Sequence, residues 1–308
     1  MFAIQRWGFV LAFLVAPVVS LSGQDRRTFS MPNSALLFAE PYDDLTVVGP
    51  FGTQLLRPPV EVKANGGYFV RPSIAPKGDL VSWGFVTAND DRRDRLVRFA
   101  LGIYSTAEHK WTTYGDFDLL TATSFSPDGS RVAFTADLRG RDKTELLILE
   151  LETGTIRHIK YVAAVQPSWS PDGKKIAINI QRGFDKAPIL AVIDLESGNM
   201  KTIGEGGGPA WSPSGEWIAF IGHSGETCML VHPDGTGSKA LIEAKSSVFS
   251  YRRFGHTVVW SPDGKKLLLN KLTNDAGKLD VMLVDIETGR STTALKNSAP
   301  VFGWVSRK

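Results

Sequence analysis

The fold is decided by a short stretch of the 308-residue chain, Trp169-Ser170-Pro171-Asp172-Gly173, which is followed by the run Lys175-Ile176-Ala177-Ile178. Proline presets the backbone at the second position of a type I turn, and an Asp side chain can bond the local backbone. Glycine accepts the left-handed conformation that closes a bulged hairpin. The stretch therefore predicts two antiparallel strands joined by a tight turn.

The same pattern occurs four times, with a weaker fifth copy upstream. Each copy has an apolar or aromatic residue, Ser, Pro, Asp or Ser, Gly and then a strand-like run; the copies begin at Phe125, Trp169, Trp211 and Trp260, and the weaker one at Ile74. The prolines of successive copies are 42 to 51 residues apart. Such a period with strand-forming content is typical of β-propeller blades. The recurring aromatic position indicates packing between neighbouring blades.

A second tight turn lies downstream in each strong copy. These turns are Glu150–Gly154, Asp194–Gly198, His232–Gly235 and Asp285–Gly289. Each repeat thus supplies strand, tight turn, strand, variable loop, strand, tight turn and strand, which is a four-stranded antiparallel blade. Five blades are predicted at about residues 70–115, 122–160, 165–204, 208–244 and 256–296.

Strand-like segments near both ends predict a sixth blade. The tail Ala299–Trp304 is similar to a first strand, and Leu36–Phe38, Leu45–Val48 and Thr53–Leu56 are strands that lack a partner. Pairing the tail with these strands closes the ring and removes the sheet edges through which molecules would pair. We therefore predict an all-β, six-bladed propeller that is a monomer. Seven blades remain an alternative, if residues 29–70 hold a further repeat.

The repeat resembles that of the TolB-like six-bladed β-propellers, whose repeats are called PD40 or WD40-like. The resemblance rests on the aromatic-Ser-Pro-Asp-Gly pattern and the Asp-Leu-Glu-Thr-Gly type of second turn, over about residues 70–296 and the strand near Trp304. It implies a fold rather than a function. The group includes the periplasmic Tol-Pal translocation protein, propellers that precede peptidase domains, and stand-alone propellers. Because no α/β domain precedes the propeller here, the chain resembles the stand-alone members.

Residues 1–23 are predicted to be a secretory signal peptide. Arg6 is the only charge, Trp7–Val19 is an almost unbroken apolar run, and small residues follow up to Gly23. A run of about 13 residues is shorter than the ~20 that cross a bilayer, which favours a cleaved leader over an anchor. We expect residues 24–308 to be one propeller domain in the periplasm or outside the cell, with no membrane span after cleavage.

The sequence shows no catalytic constellation. The segment closest to a serine-hydrolase elbow, Gly222–Gly225, has no helix after it. The aspartates of the repeated turn are Asp128, Asp172 and Asp263. Hydrogen bonding to the local backbone is enough to explain their presence in a turn, so no catalytic role is needed. The loop Gly204–Gly208 is interpreted as a close-packed connection rather than a phosphate-binding loop. We predict no catalytic residue and no cofactor.

Metal and nucleic-acid sites are not expected either. The five histidines are dispersed, and the single cysteine, Cys228, excludes a Cys-rich zinc site. Asp116 and Asp118 do not fit a calcium loop and are interpreted as solvated loop charges, as are Asp90 and Asp91. The net charge of +3, from 35 basic and 32 acidic residues, is too balanced to indicate nucleic-acid binding.

Propeller topology predicts where a partner binds. The tight turns lie on one face, and the variable loops and the connections between blades lie on the other, where binding residues concentrate. Ala244–Gly255 is the longest connection and combines aromatic and guanidinium groups, as protein interfaces do. The predicted partner-binding residues are Phe249, Tyr251, Arg252, Arg253, Phe254 and His256, with Arg141 and Arg182 on neighbouring loops.

Two functions from different classes follow from this sequence. The first is a non-catalytic scaffold of the bacterial cell envelope that binds a protein or peptide at the variable-loop face. The alternative is an enzyme at the channel mouth, a metal-assisted lyase or hydrolase that acts on an acidic saccharide and uses His256 with nearby Arg and Asp residues. The two differ in geometry, because an enzyme needs two or more titratable groups that converge on one cavity.

Overall fold

The computed structural model describes residues 34–39, 45–49, 52–56, 70–88, 98–138, 144–161, 164–182, 186–243, 250–251, 255–256, 258–272, 279–298 and 300–306. All regular secondary structure in these residues is β, and every pairing between strands is antiparallel. The predicted all-β architecture is therefore confirmed. The predicted signal peptide, residues 1–23, lies outside the described residues.

The strands follow the predicted repeat closely. In chain order they are β1 Ser34–Ala39, β2 Leu45–Gly49, β3 Gly52–Leu56, β4 Ser73–Ile74, β5 Leu80–Ala88, β6 Arg98–Ser105, β7 Lys110–Phe125, β8 Arg131–Leu138, β9 Thr144–Glu150, β10 Thr155–Tyr161, β11 Ala164–Trp169, β12 Lys175–Ile180, β13 Ile189–Asp194, β14 Met200–Glu205, β15 Gly207–Trp211, β16 Ile218–Ile221, β17 Thr227–Val231, β18 Lys239–Glu243, β19 Ser250–Tyr251, β20 Gly255–His256, β21 Val258–Trp260, β22 Lys266–Leu272, β23 Leu279–Asp285, β24 Ser291–Ser298 and β25 Val301–Ser306.

These strands form four-stranded units in which neighbours along the chain pair. Three units are separate sheets, β11–β14, β15–β18 and β21–β24. Two more share a seven-stranded sheet, β4–β10, because the long strand β7 pairs with β6 through its first half and with β8 through its second. The remaining four-stranded sheet has the order β25-β1-β2-β3, so the predicted pairing between the C-terminal strand and the N-terminal strands is present.

The repeated turn has the predicted backbone. In the second copy, Ser170 N–H donates to the carbonyl of Lys175 and Gly173 N–H donates to the carbonyl of Ser170. Gly173 has a φ of 68°, and the equivalent glycines of the other copies also have positive φ. A residue with a Cβ would be strained there, which explains why glycine closes every copy.

The aromatic series joins neighbouring units, as predicted. The indole N–H of Trp169 donates to the carbonyl of Ser124 (3.0 Å), and that of Trp260 donates to the carbonyl of Ala210 (2.9 Å). Each bond runs from the first strand of one unit to the first strand of the preceding unit. The indole therefore contributes both a large buried ring and a directional bond between units.

The hydrophobic core lies between the units rather than inside any one of them. One cluster, for example, combines Ala133, Leu146 and Ile148 of one sheet with Trp169 and Ile176 of the next. A second joins β21–β24 to β25 through Val281 and Val301. Contacts between the first strands run from β4 to β7, β11, β15, β21 and β25 in turn, and β25 also contacts β4. The first strands are thus the innermost ones.

The loop before β15 is close-packed, as the sequence predicts. Gly206 has a φ of 151°, and a Cβ built there would lie 2.4 Å from the carbonyl oxygen of Ile221. Because the obstacle is backbone, it cannot move aside as a flexible side chain would. Gly198, in a tight turn with a φ of 70°, has no atom within 4 Å of such a Cβ.

We expect Gly206→Ala to lower the free energy of unfolding by about 2 kcal/mol or more, because it adds a steric clash to backbone strain. The matched variant Gly198→Ala has the strain alone and should lose about 1 kcal/mol. Urea unfolding of both purified variants measures the difference. Equal losses in the two variants would contradict the close packing.

Candidate functional site

The variable-loop face carries one extra element. Between β18 and β21 the chain forms a separate two-stranded sheet, β19–β20, in which Ser250 pairs with His256 and Tyr251 with Gly255. β20 contacts the innermost strand β15, and β19 contacts β22. No other connection between units has its own sheet in the part of the chain that the structure describes. The structure thus places a pair of short strands, here called the hairpin, within the longest predicted loop and next to the inner strand β15.

The structure describes three of the eight predicted partner-binding residues. Tyr251 and His256 lie in the two strands of the hairpin. The other predicted residues of the hairpin region, and Arg141, lie outside the described residues; they are Phe249, Arg252, Arg253 and Phe254. Their part in binding stays a prediction.

Arg182 is described in full and is already bonded within the chain. Its Nε and Nη2 donate to the carbonyl of Ala187 at 2.9 and 2.8 Å, and Nη2 also donates to Oε1 of Glu205 at 2.8 Å. These bonds tie the loop after β12 to the end of β14. Arg182 therefore braces its loop, and a ligand would reach only the exposed third of its side chain.

A second ionic brace occupies the same edge of the first unit. Arg98 begins β6; its Nε and Nη2 donate to the two carboxylate oxygens of Asp116, both at 2.7 Å, and its Nη1 donates to Asp118. The hydrogen bond to Asp116 raises the pKa of Arg98, and the charge of Asp118 adds to this effect. The interpretation of the two aspartates as solvated loop charges is wrong, because both lie in β7 and bind one guanidinium.

The unit that contains β8–β10 has a third polar pair at this edge. Oε2 of Glu145, whose side chain is 1% exposed, lies 2.6 Å from Nδ1 of the half-exposed His158. Glu145 is near the start of β9 and His158 is in β10, so the pair again links the third and fourth strands. Three successive units therefore hold their loop edges with ionisable side chains.

Arg71 differs from Arg98 and Arg182. It precedes β4, and its backbone is fixed between inner strands, since its N–H donates to the carbonyl of Thr121 and its carbonyl accepts from the N–H of Thr123. Its guanidinium lies 5.7 Å from the ring centre of Phe302 in β25. Burial lowers the pKa of Arg71 to about 10. Among the described residues, no carboxylate and no hydrogen-bond acceptor binds this guanidinium.

The chain matches the model of the TolB β-propeller domain, PD40, over residues 83–300. This match covers more than half of the sequence. The chain belongs to this family.

Solved structures with the same fold have low sequence identity to this TolB-family propeller. TolB from Acinetobacter baumannii gives a TM-score of 0.66 at 17% identity, with 89% of this chain and 66% of that chain covered. A chain of a nidogen–laminin complex gives 0.62 at 10% identity, covering 88% and 97%. Oligogalacturonate lyase in complex with manganese gives 0.51 at 16% identity, covering 84% and 73%. These likenesses show the shared fold alone, and this chain spans just under two thirds of the Acinetobacter protein.

The search of curated proteins finds no match to this TolB-family sequence. In the described part of the propeller, no helix has the length and apolar character needed to cross a membrane. No three His, Cys, Asp or Glu side chains of the described residues come together as a metal would require. His109, His158, His223 and His232 lie on different turns and strands, in keeping with the dispersed pattern of the sequence.

The tight-turn face of the propeller holds a groove that sequence reasoning missed. Its volume is about 620 Å³, and it lies between β11–β14 and β15–β18. Met200 lines it with a side chain that is 39% exposed, and His232, also in its lining, stacks on Trp217 with ring centres 3.9 Å apart. The sequence gives one indication of this groove, since the second turn of this repeat is His232–Gly235 instead of the usual acidic type.

The turn aspartates of the propeller have the structural role predicted for them. In the first strong copy, Asp128 accepts hydrogen bonds from the Ser126 hydroxyl (2.5 Å) and from the Ser130 N–H (3.0 Å). These bonds lower the pKa of Asp128 to about 2. Asp172 and Asp263 make the equivalent bonds, which lower their pKa values as well.

We expect Asp128→Asn to reduce the acid sensitivity of the propeller. A carboxylate whose pKa is depressed by folding stabilises the protein above its unfolded value of 3.8, and this contribution is lost as the pH falls towards about 2. The free energy of unfolding of the wild type should therefore decline more steeply over this pH range than that of the variant. Urea unfolding at pH 6 and pH 3 measures both slopes, and identical slopes would contradict the role of Asp128.

Proposed function

We propose that the protein is an exported, non-catalytic scaffold that binds a protein or peptide at the variable-loop face. The observation that carries this proposal is the hairpin β19–β20, a strand pair within the longest connection between units and next to the inner strand β15. Its neighbourhood in the sequence has the aromatic and arginine content of interface hot spots. The binding residues proposed are Phe249, Tyr251, Arg252, Arg253, Phe254 and His256, with Arg141 and Arg182 nearby.

The ionic braces support a binding role for this face. Arg98, Glu145 and Arg182 each hold the start of a third strand, or the loop before it, against a fourth strand. Such bonds reduce the conformational freedom of the loop ends before any partner arrives. A surface that is already ordered loses less entropy on binding.

The proposal includes a closed ring of six blades. Support comes from the pairing of β25 with β1 and from the contacts of β25 with both β21 and β4. In such a ring, the first strands surround the axis and the third and fourth strands lie at the rim. Closure covers the edge that β1 would otherwise expose, because β25 pairs with it, and this is consistent with a monomer.

The proposed export of the protein rests on the predicted signal peptide, residues 1–23. We expect the mature protein recovered from the periplasm or the medium to begin near residue 24, because the apolar run is too short to remain as an anchor. Intact mass measurement of the exported protein tests this. Recovery of the full 308-residue chain in the membrane fraction would contradict cleavage.

We expect the triple variant Tyr251→Ala, Arg252→Ala, Arg253→Ala to lose the partner that the wild type captures from an envelope extract. Removal of an aromatic and two guanidinium anchors should weaken binding by at least about tenfold. Quantitative mass spectrometry of proteins captured on each immobilised variant measures the change. The matched control is Arg157→Ala, Arg290→Ala, which removes two exposed arginines far from the hairpin.

Two results would overturn this assignment. If the hairpin variant and the control variant retain the same proteins in the same amounts, the partner does not use the hairpin. If the wild type converts oligogalacturonate and the hairpin variant does not, the site is catalytic.

The enzyme alternative has one observation in its favour, the likeness to oligogalacturonate lyase in complex with manganese. The described residues do not contain a group of three metal ligands, so they do not fit the manganese of that protein. No catalytic step is therefore assigned here to a metal. The scaffold remains the function that the geometry supports best.

A further inference from the structure

Arg71 holds a positive charge for which the described residues provide no counter-charge. The side chain is partly reached by solvent, yet it is densely surrounded by protein, which lowers its pKa to about 10. Its guanidinium faces the ring of Phe302 at 5.7 Å and is bonded to no other described residue. A buried charge without a counter-charge destabilises the folded state. The position is therefore unfavourable unless an anion occupies it.

The position of Arg71 shows where such an anion would be found. Arg71 belongs to the innermost part of the first complete unit, Phe302 lies on the innermost strand β25, and Thr121 and Thr123 lie on β7. Arg71 thus lies where three inner strands meet, with its backbone bonded to β7 and its guanidinium against the Phe302 ring of β25. Arg71 lies three residues before the end of β4, on the side from which the chain enters from the variable loops. Arg71 therefore lies towards the face that carries the hairpin.

Arg131 provides the contrast within the same chain. Its guanidinium also lies over an aromatic ring, that of Trp169 at 4.6 Å, but its Nη2 donates to the carbonyl of Gly173 at 3.2 Å. Arg131 links two neighbouring units and has a structural role. Arg71 has the aromatic contact without the hydrogen bond, so its five donors are available to a ligand.

We propose that Arg71 binds a carboxylate group of a peptide that enters between the inner strands from the variable-loop face. This inference rests on the proposed function and names the chemistry that the ligand must have. Guanidinium and carboxylate match in geometry and form two parallel charge-assisted hydrogen bonds. A peptide is favoured over a uronic-acid saccharide because β4 and β25, the strands next to the Arg71 side chain, are end strands of their sheets, and a peptide can pair with the backbone of an end strand.

The test is a calorimetric titration of the purified full chain with defined probes at low ionic strength. Acetyl-triglutamate amide offers side-chain carboxylates, and acetyl-trialanine offers only a terminal carboxylate, so the two distinguish the sources of the group. Acetyl-triglutamine amide is the uncharged control. The wild type should bind one of the carboxylate peptides, and Arg71→Gln should weaken that binding by about tenfold or more. Arg131→Gln should retain it.

Stability separates ligand binding from a structural role. Without peptide, Arg71→Gln should unfold at the same temperature as the wild type or at a higher one, because it removes an uncompensated buried charge. Arg131→Gln should unfold at a lower temperature, because it loses a hydrogen bond between units. A loss of stability in Arg71→Gln equal to that in Arg131→Gln would make Arg71 a structural residue and overturn the inference.

The remaining outcomes also decide the question. Binding of both carboxylate peptides no tighter than the glutamine control, or equal binding by wild type and Arg71→Gln, overturns the proposal. Tighter binding of trigalacturonate or inorganic phosphate than of either peptide overturns the choice of a peptide. If the hairpin variant captures unchanged partners while Arg71→Gln loses peptide binding, the proposed binding surface fails and the role of Arg71 stands.

Discussion

The structure depends on contacts between the tight turns and first strands of adjacent units. A Cβ on Gly215 would lie 3.1 Å from Cγ of Pro171, and one on Gly264 would lie 3.7 Å from Cδ of Pro213, so the glycine of each turn packs on the proline of the preceding one. Four residues before the glycine of the last copy, the indole N–H of Trp260 donates to the carbonyl of Ala210 in the preceding inner strand. A single four-stranded sheet has two apolar faces and cannot cover either of them alone. The stacked turns therefore set the spacing at which each sheet buries the face of its neighbour.

This constraint explains why the two faces differ. Where turns pack on one another, their length and residue types cannot vary without disturbing the next unit, and the Ser-Pro-Asp-Gly pattern recurs for that reason. The opposite ends of the strands are not in such a stack, so loops there vary in length and are held by local charges such as Arg98 with Asp116 and Arg182 with Glu205. These braces differ in residue type and position from unit to unit. Variation is thus possible where a partner is proposed to bind, on a scaffold that does not change.

Sequence reasoning predicted those features that depend on local turn chemistry. The tight turns, the alternation of strands and the role of the Trp series follow from a few adjacent residues, and all three are present. It could not predict that Asp116 and Asp118 bind Arg98, because that contact depends on a register shift between β6 and β7 which brings residues 18 and 20 positions apart together. Arg71 was missed for a related reason. Its environment is formed by strands from both ends of the chain. The residues next to Arg71 in the sequence therefore do not indicate which groups surround its side chain.

Arg71 and Arg131 show how one residue type serves two purposes in a repeat architecture. Both guanidinium groups lie against an aromatic ring of an adjacent unit, which is the contact that the close spacing of inner strands makes available. Arg131 is near the stacked turns, where the carbonyl of Gly173 is within reach, and its charge is compensated by the fold. Arg71 lies nearer the variable-loop end, where β7 uses its own carbonyl at Thr121 to bind the Arg71 backbone. That carbonyl already accepts the Arg71 N–H, and among the described residues none accepts a bond from the guanidinium, which is why a ligand is proposed there.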